Sequence, residues 1–219
     1  MHVGHVAAGL IAKRAAPEIS LGTTVLAALL PDLLWCVFLL AGLEHVQLVP
    51  GSGAANYLRT MDVSYSHSIL MDAVWAALFA GAYFWRRNYP RGAWVLFAAV
   101  LSHALLDIVA WARFPLSPGI PRYSGLGLWN SVPATVIVEG GLWLFAIILY
   151  LRGTHPTTRV APFAFWTAVV VLTLAWHRNI TGPPPPNAQA MALSSLIYFS
   201  LIVVWAYWIN RLRPANRIC

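Results

Sequence analysis

Long apolar runs separated by short polar segments dominate the chain. Six of these runs reach the length of about 20 residues that an α-helix needs to cross a bilayer core. Charged residues, proline or glycine bound each run, as expected where membrane helices end. The pattern predicts an all-α, polytopic membrane protein of about six transmembrane helices, folded as a single domain over residues 1–219. The predicted spans are about 21–43, 66–85, 92–112, 131–151, 160–177 and 190–210.

A shorter apolar segment precedes the first predicted span. Residues 2–12 are too few to cross a bilayer, and Lys13 and Arg14 follow them. As a helix rising about 1.5 Å per residue, this segment reaches roughly the middle of the bilayer. We therefore expect a short N-terminal helix that is re-entrant or half-spanning.

The composition excludes a water-soluble fold. Hydrophobic residues make up 59% of the chain without counting glycine, and charged residues only 10%. Soluble proteins reach roughly 45–50% apolar residues with glycine included. So few charges cannot cover the surface of a soluble globule, and the lipid bilayer is the expected partner of most of the surface.

The net charge of +7 does not by itself indicate a nucleic-acid partner. The basic residues form short clusters between apolar runs, which is typical of cytoplasmic loops, and we expect no nucleic-acid binding. Counted over alternate loops, ten lysines and arginines lie on one side and four on the other. This imbalance predicts a cytoplasmic C-terminus and an outward-facing loop at about 44–65.

Several ionisable residues interrupt the predicted spans. Each costs about 2.5–3.5 kcal/mol at the centre of a membrane helix on insertion scales, so such residues usually have partners and a function. Four of the seven acidic residues are among them, together with two histidines. The set is Asp32, His67, Asp72, His103, Asp107 and Glu139.

His103 and Asp107 form the strongest pair, because residues four apart share one face of a helix. They are spaced to bind one cation together. The alternative is a hydrogen bond that only ties helices to one another. Asp32 follows Pro31, which is expected to bend the first span; its alternative is a carboxylate paired with a neighbouring Arg or His.

The remaining candidates are more ambiguous. His67 opens the second span where a serine can cap the helix, so it is either a ligand or an interfacial histidine. His5 reaches the depth of Asp32 and His103 only if the N-terminal helix is re-entrant. Asp72 is expected to support a ligand rather than to bind metal, and Glu139 is a ligand, a supporting residue or a packing feature. Together these side chains have the composition of a divalent-metal site, with zinc as the first expectation.

The order of these motifs resembles the inner-membrane metal-dependent hydrolase family of bacteria. The resemblance covers roughly the first two thirds of the chain. It rests on His5, Leu30-Pro31-Asp32, Tyr65-Ser66-His67-Ser68, Leu101-Ser102-His103-Ala104-Leu105-Leu106-Asp107 and Gly125-Leu126-Gly127-Leu128-Trp129-Asn130.

The resemblance implies a bacterial inner-membrane location and a set of metal ligands. The implied cofactor is a divalent metal, zinc first and manganese or iron as alternatives. Many relatives have a further histidine where this chain has residues 34–36, Leu-Trp-Cys, and often His-Arg before the Thr-His that matches Ser66-His67. These two departures imply fewer bound metals or a changed or lost activity. The implied ligands are His5, Asp32, His67, His103 and Asp107.

The first hypothesis is therefore a membrane-embedded hydrolase in which a metal activates water for attack on an ester or phosphoester, possibly lipid-linked. Asp72 and Glu139 are its candidate catalytic residues, orienting a ligand or moving a proton. A transporter or proton-coupled permease is the second hypothesis, and a non-catalytic assembly factor the third. Residues 1–151 carry the candidate site, and the two helices of 152–219 are expected to be scaffold.

Overall fold

The structure, a computed structural model, describes residues 1–48, 54–55 and 58–216. Eight α-helices account for most of these residues. In chain order they are α1 (His2–Ala15), α2 (Leu21–Ala28), α3 (Leu30–Leu40), α4 (Ile69–Arg87), α5 (Pro90–Ala110), α6 (Val132–Gly153), α7 (Val160–Thr181) and α8 (Ala188–Leu212).

The number of candidate spans is smaller than the sequence predicted. Among the described residues, α5, α6, α7 and α8 are long and apolar enough to cross a membrane, and the bent pair α2 and α3 makes a fifth if it counts as one span. The expectation of about six is therefore wrong. The predicted span at 66–85 corresponds to α4, whose 19 residues include Asp72, Arg86 and Arg87, and these charges reduce its mean hydropathy.

Large apolar side chains on the candidate spans point away from the bundle. Ile137 on α6, Phe163 on α7 and Val204 on α8 are 73%, 74% and 64% exposed. Such a surface is stable only against lipid, which agrees with the composition. The direction in which the chain crosses the membrane remains a prediction.

The first predicted span is broken. α2 and α3 meet at 55° across Leu29, and Pro31 lies in the first turn of α3. Proline fits there because the first turn of a helix has no intrahelical acceptor for its missing N–H. The bend expected from Pro31 is confirmed. It leaves the carbonyl of Ala28 at a helix end and Asp32 in the first turn of α3.

The short N-terminal helix lies at the centre of the bundle. α1 packs against α2, α5 and α6, and nine of its 14 residues are buried. A helix surrounded by other helices can carry polar side chains into the interior, provided that those side chains find partners. His5, on the first turns of α1, is therefore held well away from lipid.

Close contact between α1 and α2 depends on Gly9. A Cβ atom at this position would lie 2.8 Å from the Cα of Val25, a backbone atom that cannot move by itself. We expect Gly9→Ala to lower the free energy of unfolding by about 1–3 kcal/mol, measured by thermal unfolding in detergent. His5 is one turn away on the same helix, so its position should shift too.

The matched control for Gly9→Ala is Gly81→Ala. A Cβ at Gly81, in the middle of α4, meets no heavy atom within 4 Å. This substitution should leave stability unchanged or raise it by roughly 0.5–1 kcal/mol, because alanine favours helix over glycine. Equal effects of the two substitutions would contradict the proposed packing of α1.

Two β-hairpins correct the all-α prediction to a mostly helical fold. β1 (His45–Leu48) pairs with β2 (Leu58–Asp62), and β3 (Phe114–Ser117) pairs with β4 (Ile120–Ser124), both antiparallel. The hairpins satisfy the hydrogen-bonding requirement of backbone N–H and C=O groups in the connections between helices. The periodicity of apolar residues does not predict them. A 3₁₀ turn at Leu128–Asn130 then leads into α6.

Candidate metal centre

Five side chains from four parts of the fold converge inside the bundle. They form two overlapping triads, His5 with His103 and Asp107, and Asp32 with His67 and His103. Within each triad, one ligand atom from each residue lies within 4.8 Å of the others. The two triads share His103, so all five residues surround one small region.

Asp107 lies between the three histidines. Its Oδ1 is 3.2 Å from Nε2 of His5, and its Oδ2 is 3.7 Å from Nε2 of His103 and 3.8 Å from Nε2 of His67. Oδ1 of Asp32 lies 3.5 Å from Nε2 of His67 and 3.7 Å from Nε2 of His103. The two oxygens of Asp107 thus face different histidines, an arrangement that can serve one cation or bridge two.

Helix α5 and the break after α2 orient His103. The Nδ1–H of His103 donates to the carbonyl of Ala28, at 2.9 Å, which is free because α2 ends there. We assign the tautomer from this hydrogen bond. Nε2 of His103 therefore directs a lone pair towards Asp107 and His67, as a metal ligand must.

A chain of hydrogen bonds orients His67 in the same way. The Oγ–H of Ser66 donates to Oε2 of Glu44 at 2.7 Å. Oγ of Ser66 lies 2.8 Å from Nδ1 of His67, and because its proton is directed to Glu44, we assign Nδ1–H of His67 as the donor to Oγ. Nε2 of His67 is then left unprotonated and faces His103 at 3.2 Å. Carboxylate partners behind a histidine commonly fix its tautomer in this manner.

Glu44 is a residue that the sequence analysis missed. It is 1% exposed, and its Oε1 accepts the backbone N–H groups of Tyr65 and Ser66 at 2.9 and 2.7 Å. Burial raises the pKa of the Glu44 carboxyl, and the hydrogen bonds from Ser66 and Tyr65 oppose that rise. Acidic residues are rare in this chain, and this rarity was the signal in the sequence that could have drawn attention to Glu44.

The ring of His5 stacks on that of His103, with centroids 3.6 Å apart and planes 7° from parallel. The amino group of Met1 lies 2.6 Å from Nε2 of His5 and 2.6 Å from Oδ1 of Asp107. Nδ1 of His5 is buried and has no hydrogen-bond partner in the described part of the chain. These contacts hold the start of α1 against the cluster.

The two predicted catalytic carboxylates have different surroundings. Asp72 is fully buried on the inner face of α4, and neither of its oxygens has a hydrogen-bond partner among the residues that the structure describes. Glu139 accepts the backbone N–H of Gly4 at 3.2 Å and the indole N–H of Trp176 at 3.0 Å. Glu139 thereby anchors the first turn of α1, and its catalytic role and that of Asp72 remain predictions.

A cavity of about 150 Å³ adjoins the cluster. His5, Asp32, His67 and Asp107 border it, and three tryptophans and Tyr198 form much of its remaining wall. This space is large enough for several water molecules or a small polar group. The tryptophans are Trp35, Trp111 and Trp129, and the ring of Trp111 stacks on His67.

The other histidines lie outside both triads. His45, His155 and His177 are exposed, in agreement with their positions at span ends and in loops. His2 donates to or accepts from the hydroxyl of Tyr198 at 2.9 Å and borders the cavity. Tyr198 belongs to α8, so this helix contributes to the cavity beyond the scaffold role that the sequence predicted.

The charge and chemistry of the cluster fit a divalent cation. Within the described residues, the amino group of Met1 pairs with Oδ1 of Asp107, and no lysine or arginine side chain forms an ion pair with Asp32 or Asp107. Two buried carboxylates need compensating positive charge. Imidazole and carboxylate together suit borderline and hard ions such as zinc, manganese and iron. These buried triads could therefore hold a metal ion.

Comparison with known proteins places the chain in a family of membrane proteins. A sequence model for a family described as YdjM inner membrane protein matches residues 1–183. The matched range contains all five candidate ligands and ends before α8. No curated protein and no solved structure matches the chain significantly.

Proposed function

Because the chain belongs to the YdjM inner membrane protein family and carries buried His and Asp triads, we propose that it is a membrane-embedded metal-dependent hydrolase. It is an inner membrane protein; the hydrolytic activity is the proposed part. The observation that carries the proposal is the convergence of three histidines and two aspartates beside a cavity. Ester and phosphoester bonds are the proposed targets.

We propose zinc as the metal, with manganese or iron as alternatives. The ligands would be His5, Asp32, His67, His103 and Asp107. Imidazole and carboxylate are the ligand types that such divalent ions take in proteins, which supports this set. When bound, such an ion supplies Lewis acidity and brings the pKa of a water molecule towards neutrality.

The protein's own residues would orient the reaction. Fixed tautomers at His67 and His103 keep their Nε2 atoms directed into the cluster. Asp32 is the one cluster side chain with appreciable exposure, 15%, and it borders the cavity from which a substrate would approach. Asp72 has an unpartnered carboxylate, which makes it the better candidate of the two predicted carboxylates for accepting a proton.

Asp72→Asn tests this assignment. We expect bound metal to remain stoichiometric, because asparagine is nearly isosteric and removes a buried unpaired carboxylate. The kcat for hydrolysis of bis(p-nitrophenyl) phosphate or p-nitrophenyl butyrate should fall about 10²–10⁴-fold if Asp72 moves a proton in the reaction. Metal analysis and initial rates on the detergent-purified, metal-loaded protein are the measurements.

Asp62→Asn is the matched control, since Asp62 is exposed in β2 and should affect neither quantity. A kcat for Asp72→Asn equal to that of the control would remove Asp72 from the mechanism. If the metal-loaded wild-type protein hydrolyses neither ester faster than a His103→Ala variant, the hydrolase proposal itself is contradicted.

A further inference from the structure

A second, larger cavity lies beside the metal centre. It has a volume of about 540 Å³ and is bordered by α1, α2, α6, α7 and α8. Its wall is almost entirely apolar, with side chains such as Leu10, Leu21, Phe165 and Leu201. This volume lies within the range of about 300–1,000 Å³ that is typical of small-molecule sites.

The two cavities lie in series along the same two helices. On α1, His2 and His5 border the first cavity, while Val6 and Leu10 border the second. On α8, Tyr198 borders both cavities, and its hydroxyl lies 2.9 Å from Nε2 of His2. Tyr198 is thus shared by the apolar cavity and by the cavity that adjoins the metal centre.

The apolar cavity opens towards lipid. Val171, Val204 and Trp208 contribute to its wall and are also 42%, 64% and 46% exposed on the outer surface of α7 and α8. Both helices are candidate spans, so this surface faces hydrocarbon. An apolar space that communicates with the bilayer admits a hydrocarbon chain without exposing it to water.

The dimensions suit one lipid chain. From Tyr198 to Ile209, the wall formed by α8 covers eleven residue steps, or about 17 Å at 1.5 Å per residue. This is about half of the roughly 30 Å hydrocarbon core, the depth that one leaflet's chain occupies. The wall also includes Trp205, whose buried indole N–H has no hydrogen-bond partner among the described residues and is available to a polar group on the bound molecule.

We propose that this cavity holds the hydrocarbon chain of a lipid substrate. The hydrocarbon chain would lie between α1, α7 and α8, and the ester or phosphoester linkage of the lipid would extend past Tyr198 to the metal centre. This inference rests on the proposed function for its substrate role. It narrows the substrate class to lipids with an ester or phosphoester near the head of a long chain.

Photo-crosslinking of a lipid tests the occupant. The probe is phosphatidylglycerol with a diazirine near the end of one acyl chain, added to the full-length protein in detergent micelles and mapped by mass spectrometry. We expect crosslinks to concentrate on cavity-lining residues within 165–172 and 201–209. Crosslinks spread evenly over outward-facing side chains such as Phe163 and Val170 would show only surrounding lipid and overturn the proposal.

Filling the cavity provides the second measurement. Ala206→Phe places a phenyl ring in the cavity wall, and crosslinking there should fall by more than about tenfold, because each methylene excluded from an apolar site costs roughly a fourfold loss in affinity and the ring excludes at least two. Ser200→Phe, on the exposed side of the same helix, is the matched control and should crosslink as the wild type does. Equal crosslinking in both variants would contradict the proposal.

The outcomes separate this inference from the hydrolase proposal. His103→Ala should abolish hydrolysis and leave the crosslinks unchanged, because the hydrocarbon chain of the bound lipid does not contact His103. Hydrolysis of soluble p-nitrophenyl butyrate without crosslinks in the cavity would refute only the proposal that the cavity holds a lipid's hydrocarbon chain. Crosslinks in the cavity without any hydrolysis would refute the hydrolase activity and leave the lipid site standing.

Discussion

Replacing His103 by alanine is expected to abolish stoichiometric metal binding by the folded protein. His103 is the one residue common to both triads, and it is completely buried. Its loss removes a ligand atom from each triad, so affinity should fall by more than about 100-fold, beyond the effect of losing a supporting residue. Elemental analysis of the purified protein under metal-replete conditions measures the change.

A conservative variant separates loss of metal from loss of fold. The glutamine of His103→Gln retains an N–H group for the carbonyl of Ala28, and this variant should stay monodisperse and unfold cooperatively while still losing metal. His177→Ala, at an exposed histidine of α7, is the matched control and should bind metal like the wild type. Full metal occupancy in a folded His103→Gln protein would show that His103 is not a ligand.

Glu44→Gln is expected to weaken metal binding about 10–100-fold without direct contact with the metal. An amide N–H₂ in place of Oε2 cannot accept from Ser66, so the serine hydroxyl would turn and donate to Nδ1 of His67. The proton of His67 then moves to Nε2, the atom that faces Asp32 and His103. Competition with a chelator of known affinity gives the dissociation constant.

Glu44→Gln should leave the loop at residues 65–66 largely intact. The remaining carbonyl oxygen of glutamine still accepts the backbone N–H groups of Tyr65 and Ser66. Glu44→Ala should instead lower stability by about 1–3 kcal/mol, because those two N–H groups lose their acceptor. Ser66→Ala should reproduce the weaker metal binding. Wild-type affinity in both Glu44→Gln and Ser66→Ala would refute the proposed orientation of His67.

The sequence predicted well what depends on local spacing. The separation of His103 and Asp107 by four residues places both on one face of α5, where the structure finds them 3.7 Å apart. The bend at Pro31 follows from proline's missing N–H and was likewise predictable. A short helix at the N-terminus followed from an apolar run bounded by Lys13 and Arg14.

What the sequence did not predict depends on tertiary contacts. Glu44 follows α3 in a connection without periodicity, and only the folded chain brings it to Ser66, 22 residues later. The span count failed because a window of apolar residues does not register the 55° break at Leu29 or the charges at the ends of α4. The pairing of β1 with β2 is equally invisible to apolar periodicity.

Transport and assembly, the two alternative hypotheses from sequence, differ from the hydrolase proposal in what the variants should do. A scaffold protein would lose stability in His103→Gln and Asp72→Asn alike, with no turnover to lose. A permease would lose uptake while catalysing no ester hydrolysis. The hydrolase account requires that the metal-loaded wild-type protein hydrolyse an ester faster than His103→Ala, and its assignment of Asp72 requires that Asp72→Asn stay folded, keep its metal and lose turnover.

X-ray absorption spectroscopy at the zinc edge of the zinc-loaded, detergent-purified protein tests the central claim most directly. The account predicts at least one bound zinc per chain, with nitrogen and oxygen ligands at about 2.0–2.2 Å and the multiple-scattering signature of imidazole. Well-folded protein that retains no zinc under metal-replete conditions, or that binds zinc with no imidazole contribution, would contradict it.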